Sequence, residues 1–107
     1  MITVIYERNI NSVTVKGHAN GGAHGHDLVC ASASILIYTI AAFANNAKKA
    51  KHAHKYQVKL VEGDSIVSIK PKRRYKAAIT LVFDSICGGF ELLAKTFPEN
   101  ISYEIKL

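Results

Sequence analysis

SVTVKGHANGGAHGHDLVCASAS, residues 12–34, changes character twice within 23 positions. SVTVKGH, residues 12–18, reads as a strand, rich in β-branched residues. Residues 19–26, ANGGAHGH, hold three glycines and no large apolar side chain, the composition of a mobile loop. Asp27 then suits the cap of a long apolar helix running to about Lys51. That helix closes on KKAK, where positive charge opposes the negative end of the helix dipole. A strand feeding a helix through a glycine loop is the unit around which the rest arranges.

Working outward, ITVIYE at residues 2–7 alternates like a half-buried strand. RNIN is turn-like, so the first two strands read as a hairpin. YQVKLVE and SIVSIK flank Gly63 and Asp64 and make a second hairpin over residues 56–70. Pro71 and the run Lys72, Arg73, Arg74 break the pattern. A second helix is expected over residues 75–97, and Gly88 and Gly89 either weaken it or admit another backbone closely. Pro98 and Asn100 end it, and ISYEIKL alternates as a closing strand. The expectation is one α+β domain, residues 1–107, of order ββαββαβ, with two helices packed on a largely antiparallel sheet. Its open edges or an exposed helix face invite a homodimer.

Composition narrows the class. The chain has 107 residues, 49% of them apolar, which suits one core and argues against disorder. The start, MITVIYERN, lacks the basic and apolar regions of a signal peptide. Two cysteines make a poor disulfide framework, so a reducing, cytoplasmic setting with two free thiols is expected. Residues 28–47 pass without a charge, about the length of a spanning helix. Ser32, Ser34, Thr39, Asn45, Asn46 and the flanking strands favour a covered core helix and no membrane partner. Net charge is +6, yet residues 48–76 alone hold ten Lys or Arg against Glu62 and Asp64. Such a run suits either a solvated surface or an acidic partner such as RNA.

The chemistry concentrates at His18 and Cys30. With Asp27 as cap, Cys30 is the third helical residue, where unpaired amides and the helix dipole favour a thiolate. The same amides suit an oxyanion formed at an attacked carbonyl. His18, mounted at a strand end, folds back to take the thiol proton. Asp27 either caps the helix or orients the imidazole. The blander reading of Cys30 is core packing. A zinc site built from His18, His24, His26 and Cys30 is disfavoured because a glycine loop holds ligands poorly. His24 and His26 read as exposed loop residues, His52 and His54 as solvated surface, and Cys87 as core.

G-H-A, five residues, then G-x-D-[aliphatic]-V-C-A-x-A-S-x-L resembles the signature of the Prp family of ribosomal-processing cysteine proteases. The matching residues are Gly17, His18, Ala19, Gly25, Asp27, Leu28, Val29, Cys30, Ala31, Ala33, Ser34 and Leu36. The resemblance implies a cysteine endopeptidase, a homodimer without a cofactor or metal. Its substrate would be the precursor of large-subunit ribosomal protein twenty-seven, from which a short N-terminal extension is removed during ribosome assembly. By this likeness Cys30 is the nucleophile and His18 its base, while Asp27 and Ser34 support the site. The loop with Ala19, Gly21, Gly22 and Gly25 becomes a lid over the peptide. The basic substrate fits the basic half of the chain awkwardly, and a pre-ribosomal particle suits it better. The alternative is a non-enzymatic ribosome- or RNA-binding module using residues 48–76.

Overall fold

The computed structural model describes residues 1–18 and 26–107, His26 by its backbone alone. The expected lid residues Ala19, Gly21, Gly22 and Gly25, and His24, lie outside the described residues. The elements are β1 (Ile2–Glu7), β2 (Ser12–Lys16), α1 (His26–Lys49), β3 (Ala53–Val61), β4 (Asp64–Pro71), α2 (Lys76–Thr96) and β5 (Ile101–Lys106), in the expected ββαββαβ order. Short 3-10 turns, Arg8–Ile10 and Arg73–Tyr75, join β1 to β2 and lead into α2.

The strands form one sheet in the order β3-β4-β2-β1-β5. Three neighbouring pairs are antiparallel, and β5 runs parallel to β1, so the sheet is mixed. Each helix is therefore a crossover between strands that are not neighbours. Val58, Val67, Val13 and Tyr6 stand side by side across four strands. The last three are fully buried. Phe83 of α2 packs on Tyr6 and meets Phe43 of α1 edge to face, at ring separations of 6.1 and 6.2 Å.

Both helices are long and apolar enough to cross a membrane by length and composition. Each nonetheless packs on this sheet, and α1 buries the stripe Val29, Ala33, Ile37, Ile40, Ala44 and Ala47. Gly89 explains how α2 tolerates its glycine pair. A Cβ there would lie 2.7 Å from Leu36 Cδ2 of α1, so the helices approach where side-chain bulk is missing. Among the described residues nothing crowds Gly88.

Two polar clusters pin the layers. Asn11 is fully buried in the left-handed region at φ 49°. Its carbonyl accepts from Ile69 N–H at 3.0 Å, and its amide donates to Thr80 Oγ1 at 3.0 Å. Lys76 Nζ donates to its side-chain oxygen. Tyr6 OH donates to Asp84 Oδ1 at 2.8 Å, and Arg8 binds both oxygens of the same carboxylate, with Nε and Nη2 each at 3.0 Å. The Arg8 hydrogen bonds hold the Asp84 carboxyl below its ordinary range. Burial, then Asp84, raises the Tyr6 phenol.

Candidate active site

Strand β2 stops at Lys16, two residues short of the expected end, because Gly17 turns the chain at φ +88°. Its Cβ position is closed by the Met1 carbonyl oxygen, so only glycine fits. The Gly17 N–H donates to the Gly63 carbonyl at 2.9 Å. His18 is thus presented from a chain held between the first strand and the β3–β4 turn.

Helix α1 brings the thiol from the other side. Cys30 is half-buried, packed against the core through its helix, with Ser34 one turn on and Tyr38 a further turn on. His18, Cys30, Ser34 and Tyr38 line a single cleft of about 280 Å³. Its floor and sides include Ile2, Val15, Ala33, Ile37, Val61 and Ser65, and the Glu62-Gly63 turn closes one wall. The imidazole lies against that turn. A Cβ on Gly63 would stand 2.6 Å from His18 Nε2.

The described helix already includes His26, so Asp27 lies within it and is not its cap, and Cys30 is at least the fifth helical residue rather than the third. The unpaired amides of the first turn lie upstream of Cys30. A helical side chain leans toward the N-terminus, which inclines the sulfur toward them. Asp27 is exposed and does not line the cleft, while Ser34 does.

The other thiol is different in kind. Cys87 is 1% exposed, as expected of a core residue, and burial pushes it up to about 12. Tyr103 is hydrogen-bonded to it, and its phenol is itself raised, mainly by burial. His54 is exposed as expected, but His52 is half-buried and stacked on Tyr75 at 3.9 Å.

Tyr38, Glu62 and Gly63 join the cleft without having been singled out for it. Tyr38 was reachable from sequence, since it follows Cys30 by eight residues on one helical face. The turn was not, because only the sheet order brings residue 63 beside residue 18.

A family model described as cysteine protease Prp matches residues 1–102. A ribosomal processing cysteine protease Prp from Staphylococcus aureus strain Mu50 is 46% identical over 37 residues, 35% of each chain. The aligned stretch thus spans about a third of that relative's length. SMU.848 from Streptococcus mutans shares the fold at TM-score 0.64 and 26% identity, over 97% of this chain and 90% of its own. An essential ribosomal processing protease Prp from S. aureus, bound to a covalently linked product peptide, aligns at TM-score 0.71 and 21% identity over 99% and 100% of the two chains.

Proposed function

This chain belongs to the cysteine protease Prp family, and on that footing we propose that it is an endopeptidase whose nucleophile is Cys30 and whose base is His18. In the proposed reaction His18 takes the thiol proton and Cys30 Sγ adds to the scissile carbonyl carbon. The tetrahedral oxyanion collapses, the C–N bond breaks, and His18 returns the proton to the leaving amine. A thioester remains on Cys30. Water, deprotonated by His18, attacks it and releases the new carboxyl terminus. Ser34 flanks the thiol along the helix, and the helix start supplies positive potential.

The observation that carries this reading is that one cleft is lined by His18 from the chain just after β2 and by Cys30 and Ser34 from α1. The proposed substrate is the precursor of large-subunit ribosomal protein twenty-seven, cut after its N-terminal extension, in the cytoplasm and by a homodimer. Cys30→Ala and His18→Ala are each expected to abolish cleavage of a peptide spanning that junction while the protein stays folded. Wild-type cleavage by Cys30→Ala would overturn the assignment.

A second reading, a ribosome- or RNA-binding module, is supported by how the charge is distributed. Within residues 48–76 the acids Glu62 and Asp64 flank Gly63 at the β3–β4 turn, where Asp64 pairs with Lys59 at 2.6 Å. Lys76 is occupied by Asn9 and Asn11. The other eight cations, Lys48, Lys49, Lys51, Lys55, Lys70, Lys72, Arg73 and Arg74, gather at the opposite end of the hairpin, around the His52–Tyr75 stack. Nine residues of β3 separate the two ends, roughly 27 Å at strand rise. The two readings are compatible: a cationic end seated on a pre-ribosomal particle leaves the cleft free for peptide. RNA binding that weakens steeply with salt and survives Cys30→Ala supports the second reading.

A further inference from the structure

We infer that Gly63 is a positioning residue for His18, so that the β3–β4 turn, some forty-five residues downstream in sequence, is a working part of the site. The inference rests on the protease reading for its consequence, but its geometry stands apart from it. Three observations converge. Gly63 holds φ +77°, a conformation that side chains rarely adopt. An added Cβ would lie 2.6 Å from His18 Nε2 and 2.9 Å from Cε1, so the ring occupies the space that a side chain at residue 63 would need. The Gly63 carbonyl accepts from Gly17 N–H at 2.9 Å, tying the same turn to the residue before the histidine.

These contacts act together. Gly17 cannot shift toward the N-terminal strand, because the Met1 carbonyl closes that side. The backbone leading to His18 is therefore set by the turn, and the ring plane is set by the bare Cα of Gly63. The ring is exposed, so a methyl group at residue 63 displaces it into solvent rather than breaking the fold. Displacing a base by about 1 Å costs on the order of 100-fold in rate.

The test uses Gly63→Ala with Asp64→Ala as its comparison. Asp64 borders the turn without lining the cleft, and its removal loosens the turn through the lost Lys59 pair. Gly63→Ala is expected to lower kcat for the precursor peptide about 100-fold with KM nearly unchanged. Asp64→Ala is expected to keep wild-type kcat, with a small loss of thermal stability because its Lys59 pair is half-exposed. In the Cys30→Ala background, NMR of the His18 ring gives a readout that needs no activity. Its contacts to the residue 63 Hα protons should be present with glycine and with Asp64→Ala, and absent in Gly63→Ala. Wild-type kcat in folded Gly63→Ala, an equal kcat loss in Asp64→Ala, or unchanged ring contacts in Gly63→Ala would each overturn the inference. A wild-type protein that cleaves no peptide but shows the ring contact would sink the protease reading and leave the positioning intact.

Discussion

The two thiols should differ in reactivity by a margin the structure fixes from one side. Cys87 is 1% exposed and its thiol is pushed up to about 12, chiefly by burial. At pH 7.5 a group of that acidity is thiolate in about three molecules per hundred thousand, against about one in ten for an ordinary cysteine. Ionisation alone thus slows alkylation roughly 3,000-fold, and access through a closed core slows it further. Cys30 lines an open cleft and lacks that protection. The assay is iodoacetamide labelling followed by intact-mass measurement. Native wild-type protein should take one label, at Cys30, and a second only in denaturant. Native Cys30→Ala protein should take none on the same timescale. Rapid native labelling of Cys30→Ala, at the rate seen in denaturant, would refute the reasoning, because it would place Cys87 within reach of solvent.

Two further outcomes test the framework that holds the cleft. Asp84 has a folded-state pKa below its unfolded value, so its stabilisation is present above about pH 4 and is lost as pH falls through the lowered value. The melting-temperature gap between wild type and Asp84→Asn should be open at pH 6 and should narrow as pH falls below about 4, and a gap independent of pH would contradict the Arg8 pairing as its source. Asn11→Gly should cost about 1–3 kcal/mol for the buried bond to Thr80, and Asn11→Ala roughly 1 kcal/mol more for its left-handed backbone. Urea denaturation checks both, and equal losses would remove the backbone contribution.

Local patterning carried much of this fold and one half of the site. Alternation in ITVIYE marks β1 because Ile2, Val4 and Tyr6 all face the helices. The second hairpin was legible from its turn, although β3 begins at Ala53 rather than residue 56. The parallel pairing of β5 with β1 was not legible, since nothing in ISYEIKL encodes a partner a hundred residues away. Asp27 is a good capping residue yet lies inside α1, because a capable side chain does not fix where a helix begins. His18 and Cys30 were accessible through a motif with fixed spacing. Gly63, Glu62 and the distribution of charge to opposite ends of the hairpin depend on strand order and needed coordinates. His52 shows the same limit: beside lysines it reads as surface, yet the 3-10 turn brings Tyr75 across its face.

The most direct measurement is acid-quenched mass spectrometry of the wild-type protein mixed with the precursor peptide. The account predicts a transient acyl adduct confined to the fragment bearing Cys30, with Cys87 unmodified and no adduct formed by His18→Ala. Cleavage that proceeds with neither thiol ever acylated, or an adduct on Cys87, would contradict it.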